Sequence, residues 1–233
     1  RDPSSAASDV YKRQVISGGN SEERLVSIRT GEAVALACNQ LGYNTSIFVL
    51  DSDSIDLILN DLKAHDFVFI ALHGTFGEDG VIQSILSKNN IPFNGSGEKS
   101  SRNCFDKSVT KEIVMNQGVL SPKYYQTSSN TCNDHLDFKS EKYVVKPNSQ
   151  GSSVGFNVID NFENLNDAID KALDFDNSVL IEEFINGREI TVPILGNEPL
   201  PVIEIEPKSG IYDYKSKYTP VSYTHLRAHE TLR

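Results

Sequence analysis

Apolar and polar positions follow two different rhythms along this chain. In its first third, short apolar runs alternate with amphipathic stretches. Val15-Ile16-Ser17 reads as a strand stub, and residues 24–41 read as a helix with Val26, Val34, Ala37 and Leu41 on one face and Gly42 as its stop. Residues 45–50 read as a strand, and residues 54–63 as a helix carrying Ile55, Ile58, Leu59 and Leu62. Residues 67–72, FVFIAL, are continuously apolar, as expected of a strand covered on both faces. Strand and helix in strict alternation predict a doubly wound parallel sheet.

The rhythm changes after residue 97. Residues 106–117 read as a helix ending at Gly118, followed by strands at about 123–127, 143–146 and 154–159. Asn161 can cap a helix bearing Phe162, Leu165, Ala168, Ile169 and Leu173. Residues 178–184 and 188–195 read as two strands joined by a tight Asn186-Gly187 turn. This half is α+β and largely antiparallel, and Gly95-Ser96-Gly97 marks the expected boundary. The fold class expected is an α/β doubly wound parallel sheet followed by an α+β domain.

The two ends break the pattern. Residues 1–14 (RDPSSAASDVYKRQ) and 221–233 (VSYTHLRAHETLR) set up no period and resemble translated sequencing-adapter tails, so both are expected to be foreign or disordered. Residues 15–96, 97–183 and 184–220 then form the expected domain, central lobe and start of a further lobe.

Composition narrows the function. With 38% hydrophobic and 23% charged residues, the chain is an ordinary globular one. A net charge of -10 argues against a nucleic-acid partner, but leaves room for a small anion held by a few lysines. No apolar run is long enough for a bilayer, so no membrane partner is expected, and no secretory leader opens the sequence. Cys38, Cys104 and Cys132 match neither a disulfide framework nor a zinc-ligand spacing and read as thiols of a reducing cytoplasm.

Five segments carry candidate chemistry. In KPNSQGSSVG, residues 146–155, an apolar run delivers Lys146 into a glycine- and serine-rich loop. Backbone N–H groups, two hydroxyls and an ammonium there can hold phosphate, although a plain flexible hairpin has the same composition. GGNSEER, residues 18–24, joins a strand to a helix, where ligands bind in open parallel sheets. Its acids suit an ammonium group, or simply the helix dipole. HGTFGEDG, residues 73–80, places His73 at a strand's carboxyl end among three glycines. Asp106-Lys107 opens a helix, where a bound phosphate would favour the lysine. LIEEFINGRE, residues 180–189, ends an apolar strand in carboxylates able to read hydroxyl and amino groups.

Taken in order, GGNSEERLVS, ALHGTFGEDG, NGSG…DK, VVKPNSQGSSVG, LIEEFINGREITV and YDYKSKY resemble the ATP-grasp superfamily and, within it, the D-alanine–D-alanine ligases. The resemblance spans residues 15–220. It implies ligation of two D-alanines for peptidoglycan synthesis in the cytoplasm, through an acyl phosphate formed from ATP. It implies that Glu23 holds the first substrate's ammonium and that His73 sits beside it. Ser152 and Tyr218 complete the substrate site, and Lys217 approaches the γ-phosphate from a lid. Lys107, Lys146 and Ser153 hold ATP phosphates, while Glu182, the backbone of Glu183 and Ile185, and Glu189 read adenine and ribose. A tyrosine at 218 accompanies D-alanine as the second substrate. The family uses two Mg²⁺ ions, with Mn²⁺ as the alternative, and is usually homodimeric. Its metal ligands lie beyond the matching segments, so this polypeptide is expected to hold no metal and to be inactive alone. The alternatives are another ATP-grasp carboxylate–amine ligase and a non-catalytic nucleotide-binding remnant.

Overall fold

The structure, a computed structural model, describes residues 12–56, 58–129, 136–207 and 223–227. The described chain divides into two compact units. One runs to Val119 and includes Ser149–Gly151, and the other holds Leu120–Asn148 and the residues from Ser152 on. The boundary expected near residues 95–97 falls inside the first unit.

The first unit is built on a three-stranded parallel sheet. Its elements in chain order are β1 (Lys12–Gly18), α1 (Arg24–Gln40), β2 (Asn44–Leu50), α2 (Leu59–Lys63), β3 (Phe67–Ile70), α3 (Val81–Lys88), α4 (Glu98–Phe105) and α5 (Lys107–Asn116). The strand order is β2-β1-β3, with Val15 opposite Ile47 on one side and Phe69 on the other. As the middle strand, β1 buries Val15 and Ile16 completely. Ile16 packs with Ile55, Leu62, Val68, Ile82 and Leu86 in the main core.

Four sequence expectations change here. Strand β1 begins at Lys12, so three residues of the segment set aside as a tail pair with Asn44, Thr45 and Ser46. Arg13 lies between the rings of Tyr43 and Phe67, 5.0 and 5.3 Å from their centroids. The fully buried face of α1 is Ser27, Gly31 and Ala35; of the expected face, Val34 packs half-buried against Val15, Ala35 and Ala71 and Val26 is half-buried, while Ala37 and Leu41 are exposed. Size decided this face: a Cβ at Gly31 would come within 2.8 Å of Ser17 Cβ, so only small residues allow the helix to lie so close to β1. Helix α2 starts at Leu59 rather than 54, because the Ser54 hydroxyl donates to the Asp56 carboxylate and accepts from Asp56 N–H, a local turn in place of a helical ladder. Ile55 and Ile58 still reach the core. Helices α3 and α4 lie in a stretch for which no element was foreseen.

The second unit contains β4 (Tyr124–Thr127), β5 (Tyr143–Pro147), β6 (Asn157–Ile159), a 3-10 turn (Phe162–Asn164), α6 (Leu165–Leu173), β7 (Val179–Glu183), β8 (Glu189–Thr191), β9 (Ile194–Leu195), β10 (Glu198–Pro199), β11 (Ile203–Pro207) and β12 (Tyr223–Arg227). Its main sheet is antiparallel throughout, in the order β4-β7-β5-β6. Val145 and Ile181 face each other across β5 and β7 and, with Val179, pack against Leu165 and Ile169 of α6. Asn161 caps the 3-10 turn, accepting from Glu163 N–H at 3.0 Å.

The expected hairpin at Asn186-Gly187 does not form. Both edges of β7 are taken, by β4 and β5, so β8 pairs instead with β11. The strand expected over 188–195 is split at Pro193 into β8 and β9, which belong to different sheets. Strand β12, inside the terminal segment set aside as foreign, pairs antiparallel with β11 from Ile203↔Arg227 to Pro207↔Tyr223.

Candidate functional site

In the first unit the site forms where β1 and β3 end. Gly18 and Gly19 both take positive φ, 89° and 82°, so the chain turns sharply out of β1. The fully buried Ser27 hydroxyl accepts from Gly18 N–H and donates to Ala71 C=O, each at 2.8 Å. One side chain on α1 thus ties together the two strand ends from which the candidate loops leave. Ser21 ties the loops themselves, donating to His73 C=O at 2.6 Å. Ser27→Ala strands a buried donor and a buried acceptor and is expected to cost about 1–3 kcal/mol. Urea unfolding of the variant and the parent chain measures the difference.

Glu23 is buried, with 5% of its surface exposed, although it ends a polar loop. Its Oε2 lies against two glycine backbones: a Cβ built on Gly74 would stand 3.2 Å from it, and one built on Gly151 only 2.7 Å. The absence of side chains at these two positions therefore brings the strand-end loop, the His73 loop and the glycine-serine loop around one carboxylate. His73 is held at both ring nitrogens. Nε2 is 3.1 Å from Thr30 Oγ1, and Nδ1 is 3.6 Å from Glu78 Oε1. The Glu78 carboxylate raises the imidazole pKa above its ordinary value, burial opposes this, and Glu23 adds to the rise. His73, Thr30 and Glu78 line a cavity of about 470 Å³ together with Gln83, Asn94 and Ser101.

Lys107 opens α5 behind Asp106, whose side chain accepts from Val109 N–H as a helix cap. The Lys107 ammonium donates to Gln150 C=O at 2.5 Å, placing a cation on the backbone of the glycine-serine loop.

In the second unit, Lys146 and Glu182 lie on one face of the β5–β7 pair. Lys146 stands opposite Leu180 and Val144 opposite Glu182, so the two charges are diagonal neighbours. Lys146 Nζ is 2.6 Å from Glu182 Oε2, and Glu182 has only 5% of its side chain exposed. The loop that follows adopts a rare shape: Ser152, Ser153 and Gly155 take φ values of 50°, 60° and 67°. Left-handed serines cost about 1–3 kcal/mol each and persist where the surroundings enforce them, commonly at ligand clamps. A Cβ at Gly155 would press on Pro147 and Phe175 at 2.8 and 2.9 Å, so this glycine lets the loop fold back on its own strand.

The remaining predicted residues separate. Glu183 N–H donates to Lys123 C=O and its carboxylate accepts from Lys123 N–H, so both groups serve the sheet. Ile185 is 60% exposed, and Glu189 lies in another sheet, opposite Ile205. Lys217, Tyr218 and the expected lid, like Cys132, lie outside the described residues. Among the described residues no group of three or more His, Cys, Asp or Glu side chains is placed to hold a metal ion, and no helix is long and apolar enough to cross a membrane. Sequence reasoning missed Ser27 and Thr30, and it gave Gly74, Glu78 and Gly151 no role of their own within the candidate loops. The available signal was two hydroxyl residues, three apart, on the inner face of the helix that follows a Gly-Gly turn.

Two family models match this chain: D-ala D-ala ligase N-terminus over residues 54–96, and D-ala D-ala ligase C-terminus over residues 113–232. The D-alanine–D-alanine ligase of Aquifex aeolicus is 42% identical over 208 residues, covering 88% of this chain and 70% of the relative. The chain belongs to the D-alanine–D-alanine ligase family. Solved structures agree. The Bacillus anthracis D-alanine–D-alanine ligase superposes with a TM-score of 0.79 at 33% identity, over 94% of this chain and 72% of that one. Its complex with ATP gives 0.76 at 29% identity, over 94% and 70%. The fold of this ligase family member is therefore ATP-grasp.

Proposed function

We propose that this chain carries the amino-acid and nucleotide sites of an ATP-dependent ligase that joins two D-alanines through an acyl phosphate. The observation that carries the reading is the buried Glu23 carboxylate set against the backbones of Gly74 and Gly151. A carboxylate so enclosed suits an ammonium group presented by a small substrate, because a larger side chain at either glycine would fill the approach. His73 beside it suits the substrate's carboxylate end. Residues 15–96 would hold the amino acid, and residues 97–183 and 184–220 the nucleotide.

On this reading Lys146 and Lys107 neutralise ATP phosphates, Ser153 donates to them, and the left-handed loop turns backbone N–H groups toward the same oxygens. Glu182, on the same sheet face as Lys146, reads the ribose or base, with Val144 and Leu180 as an apolar floor. Glu189 and the backbone of Ile185 extend that contact, and the Glu183 backbone would contribute only through its carbonyl. Ser152 and Tyr218 orient the second amine, and Lys217 closes over the γ-phosphate, so that water is excluded from the acyl phosphate. Mg²⁺, or Mn²⁺, when bound would offset the mutual repulsion of the phosphates. Family membership is what supports metal use, a peptidoglycan role, a cytoplasmic location and a homodimer.

Calorimetric titration tests the substrate side. D-Alanine should bind and L-alanine should not, and Glu23→Gln should weaken D-alanine by about tenfold or more, the worth of one charge-assisted contact. Equal binding of the two enantiomers, or indifference to Glu23→Gln, would sink the reading.

A further inference from the structure

We infer that Thr30 is a positioning residue that pins a proton on Nε2 of His73 and so makes Nδ1, facing Glu78, the nitrogen that gains and loses the proton. The argument is a count of hydrogens. The Thr30 hydroxyl has one, and it is donated back along α1 to Val26 C=O at 3.0 Å. The contact of 3.1 Å between Thr30 Oγ1 and His73 Nε2 then needs its hydrogen from the imidazole. With Nε2–H committed, a second proton enters at Nδ1, 3.6 Å from Glu78 Oε1. The Glu78 carboxylate is held for this task, since its Oε2 accepts from Gly74 N–H at 3.1 Å. Two acidic groups act on the ring: Glu78 from its own loop and Glu23 from the loop before α1.

When that second proton is bound, both N–H groups are directed, one to Thr30 and one to Glu78, and the ring offers neither a lone pair nor a free N–H. It then acts on an anionic group through its charge and does not serve as a base. That consequence for the substrate rests on the ligase reading; the proton arrangement does not.

The test is nitrogen-15 NMR of the histidine side chains in the full chain, with His73 assigned by its loss in His73→Gln. In the parent protein the neutral form of His73 should be the Nε2–H tautomer. Thr30→Val removes the acceptor at nearly constant volume and should convert the neutral form to Nδ1–H and lower the titration midpoint. Thr30→Ser should restore the parent pattern. Glu78→Gln should lower the midpoint too, yet leave the neutral tautomer at Nε2–H. Opposite tautomers in the two variants cannot arise from general loosening of the loop. An unchanged tautomer in Thr30→Val, with Thr30→Ser confirming an intact fold, overturns the inference. Tautomers that behave as stated in a protein that binds no D-alanine would uphold it while removing the ligase reading.

Discussion

Lys146→Ala is expected to abolish nucleotide binding and also to destabilise the second unit. The pair it breaks is a close one: Lys146 Nζ is 2.6 Å from Glu182 Oε2, and the glutamate has 5% of its side chain exposed. Removing one partner of a buried ion pair costs about 3–5 kcal/mol when both are fully buried. Lys146 retains 23% exposure, so a value below that range, about 2–3 kcal/mol, is the expectation. Glu182→Gln should cost less, because a neutral amide needs no counterion and the lysine can reach water. The double variant Lys146→Met with Glu182→Gln should recover most of the loss. Denaturant unfolding of the parent, Lys146→Met, Glu182→Gln and the double variant gives this coupling directly. Binding of a non-hydrolysable ATP analogue separates the two roles: the double variant regains stability without regaining affinity. If the analogue binds the double variant as tightly as the parent, Lys146 is a structural cation only.

The strands that carry Lys146 and Glu182 were legible in the sequence, and their pairing was not. Strand alternation puts Val145 and Ile181 on the core face, so residues one step away had to share the other face. The Asp106 cap, the α5 stop at Gly118 and the core positions Leu165, Ala168 and Ile169 follow from the same local rules. What failed was non-local. The face of α1 was chosen by hydropathy, yet the close approach of Gly31 to Ser17 decided it. The Asn186-Gly187 turn had hairpin chemistry, but pairing depends on whether an edge is free, and β4 and β5 had taken both edges of β7. The candidate site divides in the same way. Glu23 and His73 sit in recognisable loops, Lys107 opens a recognisable helix and Lys146 lies at the end of a recognisable strand. The groups that hold them, Ser27, Thr30 and the bare backbones of Gly74 and Gly151, come from positions whose partners are distant in sequence.

Gly80→Ala is expected to be among the most damaging single substitutions in the first unit, and Gly42→Ala shows why by contrast. Both glycines have positive φ, 91° and 85°, so an alanine at either pays for a left-handed backbone, about 1 kcal/mol. Their surroundings differ. A Cβ at Gly42 would meet nothing within 4 Å, whereas one at Gly80 would stand 2.5 Å from the Glu98 carbonyl oxygen and 3.3 Å from the Arg102 backbone nitrogen. Those atoms are backbone in α4 and cannot rotate away. Relief requires α3 and α4 to separate, and α3 carries the fully buried Ile82 and Leu86 into the core. Overpacking of this kind adds about 1–3 kcal/mol, so Gly80→Ala should cost about 2–4 kcal/mol against about 1 for Gly42→Ala. Urea midpoints for the two variants measure the difference, and equal losses would show that the α3–α4 contact yields freely. The damage should reach the site as well. Gly80 closes the loop that begins at His73, and Asp79 holds that loop by accepting from Phe76 N–H at 2.8 Å and Val81 N–H at 3.0 Å. A displaced α3 pulls on both bonds, so Gly80→Ala should shift the His73 titration midpoint, while Gly42→Ala, at the far end of α1, should leave it in place.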